Sequence, residues 1–122
     1  MELNPAELRG AARRAISENR PEQAIALLTG LLRGDPEDAE ALSLLGAAHA
    51  ANNNYPHALD CFNRSLALRP SARVHFNLAA LYRRQGYVAP AKRALREAIK
   101  LDPAYERARR MLSEIEAAEN RG

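Results

Sequence analysis

The chain predicts an all-α fold, a stack of paired helices with seven helices in all. Three observations carry that expectation. Apolar residues make up 47% of the 122 residues but aromatics only 5%, and the alanine and leucine that dominate are the residues cheapest to place in a helix. No stretch alternates apolar and polar residues as a half-buried strand does. Above all, the sequence repeats. Ala24, Ala58 and Ala91 fall 34 and then 33 residues apart, and the columns Leu28, Phe62, Leu95 and Pro36, Pro70, Pro103 take the same two steps. A period of about 20–50 residues marks a solenoid, in which each copy buries its apolar face on the next. The residue missing from the second step lies between Pro70 and Leu78, in an inter-repeat turn where deletions are tolerated best.

Each period reads as two helices. Asn4 caps the first and Pro5 opens it, with Ser17 near its end. "ENRP" turns the chain into a second helix that runs to about Arg33. Asp35 and Pro36 look like a repeat of the cap-plus-proline start. "ANNNYP" divides the next unit, since asparagine tolerates the left-handed backbone a helix end often needs. Ser71 caps the fifth helix, and Gly86 in "QGY" stops it. Asp102 and Pro103 are expected to open the seventh, through "AYERARRMLSEIEAAEN". In that helix Met111, Leu112 and Ile115 lie near one stripe, and Arg109, Arg110, Glu116 and Glu119 lie largely off it.

The residues in these columns carry a resemblance. A large residue, then Leu-Gly or Leu-Ala, Tyr, Ala, an aromatic, Ala and Pro is the pattern of the tetratricopeptide repeat family. The third unit supplies His75, Leu78-Ala79, Tyr82, Ala91, Leu95, Ala98 and Pro103. The second supplies Leu42, Leu45-Gly46, His49, Ala58, Phe62, Ser65 and Pro70. The first supplies Leu8, Ala11-Ala12, Ala15, Ala24, Leu28, Leu31 and Pro36. The resemblance implies a right-handed superhelical stack of antiparallel helix pairs, a single domain over residues 1–122. Its units span about 5–38, 39–71 and 72–105, with a capping helix over about 103–119.

Chemistry has little under it. Ser17, Ser43, Ser65, Ser71 and Ser113 sit in no nucleophile motif. There is no glycine-rich phosphate loop, zinc-finger spacing or dinucleotide fingerprint. His57 and Cys61 are four apart on one helix, a spacing that can hold a metal, but no third or fourth ligand accompanies them. Asp35 and Asp38 stand at a helix start, where they favour the dipole. No enzyme, metal or cofactor is expected. Cys61 is the single cysteine, which leaves no internal disulfide. The opening "MELNPAELRG" lacks the apolar segment of a signal peptide. A soluble cytoplasmic protein, or a piece of a longer soluble one, is the expectation.

Charge is spread unevenly. Residues 73–110 hold eight arginines and two lysines against Glu97, Asp102 and Glu106, while the rest of the chain is net acidic within an overall +3. That cluster reads either as a solvated surface or as a binding patch. Arg73, Phe76, Ala80 and Arg83 follow one helical face, with Asn77 and Arg84 beside them. The resemblance implies that first helices line a concave, ligand-binding groove. The expected groove residues are Arg9, Arg13, Ser43, Ala47, Arg73, Phe76, Asn77, Ala80, Arg83, Arg84, Arg107 and Arg110. Some family members clamp a peptide's terminal carboxylate with basic and Asn columns. Arg9 and Arg73 match basic columns, whereas Arg13, Leu44 and Asn77 depart from the pattern.

The resulting expectation is a protein-interaction adaptor that binds a peptide or protein segment, acidic or carboxylate-bearing. A self-assembling scaffold or an assembly or secretion chaperone is the alternative. A nucleic-acid-binding protein is less favoured, because Phe76, Tyr82 and Tyr87 do not interleave as a stacking platform.

Overall fold

Seven α-helices and their short turns make up the computed structural model, which describes residues 2–122: α1 Pro5–Ser17, α2 Pro21–Gly34, α3 Ala39–Ala51, α4 Tyr55–Leu68, α5 Ala72–Gln85, α6 Val88–Leu101 and α7 Glu106–Arg121. No strand occurs among the described residues. Two compact units divide the chain, the first ending at Arg69 and the second running from Pro70 to Gly122.

The helix ends follow from local chemistry. At α1, Asn4 Oδ1 accepts from the Glu7 amide at 2.9 Å and Glu7 Oε1 accepts from the Asn4 amide at 3.0 Å. This reciprocal box satisfies two donors that a helix start leaves open. Ser71 Oγ accepts from the Val74 amide at the start of α5. Gly86 ends α5 with φ 84°, a left-handed conformation that glycine enters without a Cβ penalty. Asn19 and Asn53 take the same region, at φ 61° and 60°, in the turns between α1 and α2 and between α3 and α4.

Two expected starts move. The Asp-Pro pairs do not open α3 and α7; they form the turns before them. Asp35 Oδ1 accepts from the Glu37 amide and Asp102 Oδ1 from the Ala104 amide. Each aspartate thus folds its side chain onto the backbone two residues on. Asp38 caps α3, accepting from the Ala41 amide at 3.0 Å, and α7 begins at Glu106. The one-residue deletion also lies in such a turn: Ala72 opens α5 two residues after Pro70, whereas Ala39 opens α3 three residues after Pro36.

Packing obeys the repeat. Ala24, Ala58 and Ala91 are each 0% exposed, and their column partners Leu28, Phe62 and Leu95 are equally buried. In the first unit α2 packs on α1 and α3, and α3 on α4. Its core gathers Ala12, Ala15, Ala24, Leu28, Leu31, Ala41, Leu45 and Cys61. Gly46 lies against the Phe62 ring, which leaves no room for a Cβ. Ser65 stands where the other units have an aliphatic residue, and its buried hydroxyl donates to the Ala39 carbonyl at 2.7 Å. A buried hydroxyl needs such a partner.

In the second unit α5 pairs with α6 and α6 with α7. Ala108 and Ile115 of α7 are buried in one core with Phe76, Ala79, Ala91, Ala94, Leu95 and Ala98, and Met111 and Leu112 flank it. The other face of α7 is polar. Lys92 donates to both carboxylate oxygens of Glu119, at 2.8 and 3.0 Å, and Arg96 pairs with Glu116 at 3.6 Å. Among the described residues no helix is long and apolar enough to cross a membrane.

Candidate functional site

The expected groove residues sit in two electrostatic settings, one in each unit. In the first unit, Arg9 and Arg13 lie on α1 and face the start of α3. Arg9 Nη1 donates to Asp38 Oδ2 at 2.6 Å, and its Nε lies 3.2 Å from Glu40 Oε2. Arg13 Nη2 donates to Glu40 Oε1. Asp38 therefore does two jobs: Oδ1 caps α3 and Oδ2 holds Arg9. One carboxylate, Glu40, is shared by two guanidinium groups. Ser43 Oγ donates to the Glu40 carbonyl, and Ala47 is half-buried one turn further on. The positive charge expected here is matched by the protein's own carboxylates.

The second unit differs. Phe76 was expected on the open groove and is instead only 5% exposed. Its ring lies 5.6 Å from the Tyr105 ring, and the Arg107 guanidinium stands over it at 4.7 Å. The reason is that side chains at the start of α7, which packs on α6, reach Phe76: Tyr105 and Arg107 cover its ring, and it shares one core with Ala108 and Ile115. Arg83 Nη1 donates to Glu114 Oε1 at 3.2 Å. Phe76–Arg107 and Arg83–Glu114 have the same sequence offset, so α5 and α7 run parallel and in register over two turns. The strip between these two bridges holds half-buried Asn77 and Ala80 on α5 and exposed Arg110 on α7. Arg73 is exposed one turn before Phe76 and makes no ion pair among the described residues. Arg84 is exposed at the far end of α5.

This surface is positive and its cations are held differently from those of the first unit. Arg107 rests on a π face, which attracts the cation but consumes none of its N–H donors. Arg73 and Arg110 carry no carboxylate partner among the described residues. Arg83 has a protein carboxylate against it, that of Glu114.

Titratable groups elsewhere are arranged for packing. The His49 and His57 rings lie tilted against each other with centroids 5.1 Å apart. Burial, and then the neighbouring His57, pushes His49 below its ordinary value of 6.5. Burial pushes His75 down as well, with Glu97 acting against it. His57 Nδ1 is 2.9 Å from Asn54 Oδ1. Burial pushes the Cys61 thiol up, Asp60 adds to this, and Arg64 acts the other way, so the thiol stays protonated and unreactive. Among the described residues no three His, Cys, Asp or Glu side chains converge.

Column reasoning put the expected groove on the first helices of the repeats, and it missed the Arg9–Asp38–Glu40–Arg13 cluster and the burial of Phe76. A signal existed. Arg9–Glu40, Phe76–Arg107 and Arg83–Glu114 are all separated by one repeat less about one turn. That spacing links α1 to α3 within the first unit and α5 to α7 within the second.

Two tetratricopeptide repeat models match the sequence, over residues 9–73 and 72–105. No curated protein gives a significant sequence match. Among solved structures, the first TPR domain of human RPAP3 is similar with a TM-score of 0.88 at 17% identity, covering 95% of this chain and 92% of that one. The first TPR of Spaghetti (RPAP3) bound to the HSP90 peptide SRMEEVD gives 0.87 at 18%, covering 95% of each chain. The Yersinia enterocolitica type III secretion chaperone SycD, in complex with a peptide of the translocator YopD, gives 0.84 at 21%, covering 93% of each. At these identities the likeness shows the fold. The repeat columns, the helix pairs they build and a family match over more than half of the sequence establish that this chain belongs to the tetratricopeptide repeat family.

Proposed function

We propose that the chain is a protein-interaction adaptor, and that the α5–α7 surface of its second unit binds an acidic or carboxylate-bearing peptide segment. The observation that carries this is the contrast in pairing among the described residues: Arg73 and Arg110 are exposed without protein carboxylates, and Arg107 is braced on the Phe76 ring. A guanidinium holds a carboxylate with two parallel hydrogen bonds. Asn77 adds an amide between the cations, and Ala80 provides a low floor against which backbone can lie. Arg84 extends the strip. Similar structures lend support, since SycD was solved with a YopD peptide and the Spaghetti domain with SRMEEVD, a peptide with three acidic side chains. An enzyme is not part of this reading: among the described residues no group of His, Cys, Asp or Glu could hold a metal ion. In the first unit, Ser43 and Ala47 offer a small, neutral floor beside the internally paired Arg9 and Arg13.

The test is a titration with a fluorescein-labelled peptide of alternating Glu and Ala, at low and high salt. Reversing both Arg73 and Arg110 (R73E/R110E) is expected to weaken binding by far more than the control reversal R64E/R69E, and the difference shrinks with salt. Equal behaviour of the two pairs would make the basic strip a solubilising surface only. Tighter binding of duplex DNA than of the acidic peptide would replace this reading with a nucleic-acid one.

A further inference from the structure

We infer that Glu40 is a built-in occupant of a second anion-binding place in the first unit, and that it decides which ligands that unit accepts. The inference rests on the reading of the chain as a binder of acidic segments. Its observation is separate: both oxygens of one carboxylate are engaged by two guanidiniums from another helix, Oε1 by Arg13 and Oε2 by Arg9. This is how an incoming carboxylate would be held. The chain fills the place itself, so an acidic ligand must displace Glu40 while meeting its charge at close range. A neutral segment meets neither obstacle.

The two arginines do not depend on Glu40 equally. Arg9 keeps a second partner, Asp38, at 2.6 Å, and that pair is well covered, with side chains 24% and 9% exposed. Arg13 is 48% exposed, and among the described residues its one ion pair is with Glu40. Removing the Glu40 charge therefore frees Arg13, leaves Arg9 held, and leaves the Asp38 cap of α3 intact. The selectivity of the first unit against acidic ligands is thus set by one side chain. The second unit has no residue in the same role toward Arg73 or Arg110 among the described residues.

The experiment compares wild type, Glu40→Gln, Glu40→Gln with Arg13→Gln, and Glu22→Gln. Glu22 is an exposed residue of α2, and its change alters net charge equally. The probe is the labelled Glu/Ala peptide, with its Gln-for-Glu counterpart as the neutral reference. Glu40→Gln is expected to bind the acidic peptide about two- to five-fold more tightly at low salt, the range of an exposed ion pair. Glu22→Gln stays at the wild-type value, and the double variant returns to it. Neutral-peptide binding does not move. A Glu40→Gln protein no tighter than Glu22→Gln, or a gain that survives loss of Arg13, overturns the inference. Circular dichroism and melts of each variant confirm that the helices persist. Unchanged binding in R73E/R110E strikes the reading of the second unit instead, and the comparison of the single with the double variant still decides on Glu40.

Discussion

Replacing Gly46 with alanine should destabilise the protein although alanine is the better helix former. A Cβ built on Gly46 lies 2.7 Å from both Cδ1 and Cε1 of Phe62 and 3.1 Å from Cζ. Phe62 is 1% exposed, so the ring has no open side to move into. Overpacking of this kind costs about 1–3 kcal/mol. Against it stands the helix gain of Gly→Ala, about 0.8–1.0 kcal/mol. Gly30 in α2 isolates the second effect, because a Cβ there meets nothing within 4 Å. Gly30→Ala is expected to stabilise by about 0.4–1 kcal/mol. Since the helix gain is common to both, the difference between the variants measures the clash. At roughly 4 °C per kcal/mol for a domain of this size, the two melting temperatures separate by about 4–12 °C. Adding Phe62→Leu, which removes Cε1 and Cζ, makes Gly46→Ala less harmful than it is alone, with a coupling of about 0.5–3 kcal/mol. Thermal melts followed by circular dichroism read wild type, Gly30→Ala, Gly46→Ala, Phe62→Leu and the Gly46→Ala/Phe62→Leu double variant. A Gly46→Ala protein that gains stability like Gly30→Ala would refute the close approach of α3 and α4.

Leucine at Ala91, which is 0% exposed, should lower the melting temperature, whereas leucine at exposed Ala51 should leave it nearly unchanged. Removing residues 104–122 uncovers Phe76, Leu95, Ala98 and Ile99; the truncated chain is expected to oligomerise in sizing columns, as a repeat without a polar cap does, and a stable monomer would contradict this. Stability should fall as pH drops below about 6.5, before most carboxylates titrate. The sign follows from His49 and His75, both lowered by burial: the unfolded chain takes up protons at a higher pH than the folded one, so their contribution is fully present above 6.5 and is lost as pH falls toward the folded values. Denaturant melts between neutral pH and pH 5.5 check it, and His49→Gln with His75→Gln should flatten that part of the profile.

The repeat columns disclosed most of the fold because each is a packing requirement written three times. Ala24, Ala58 and Ala91 are buried alike, and Gly86 and Ser71 end and begin α5 as their chemistry demands. The Asp-Pro pairs misled because aspartate before proline suits a turn as well as a cap; only the position of Asp38 against the Ala41 amide separates the two. The candidate site was less accessible. A helical wheel places Phe76 beside Arg73 and Arg83, but it does not show that α7 covers that column. Net charge counts Arg9 and Arg13 as positive, yet their effect depends on Asp38 and Glu40, which reach them from another helix. Pairing across a repeat is a tertiary fact, and a column holding one residue type per unit does not contain it.

The contrast between free and internally paired arginines is tested most directly by the arginine Nε–Hε signals in a ¹H–¹⁵N spectrum as the acidic peptide is added. The signals of Arg73, Arg107 and Arg110 are expected to shift progressively and to return with salt, while those of Arg9 and Arg13 stay where Asp38 and Glu40 hold them. Shifts that begin at Arg9 and Arg13, or that touch no arginine of α5 and α7, would contradict the account.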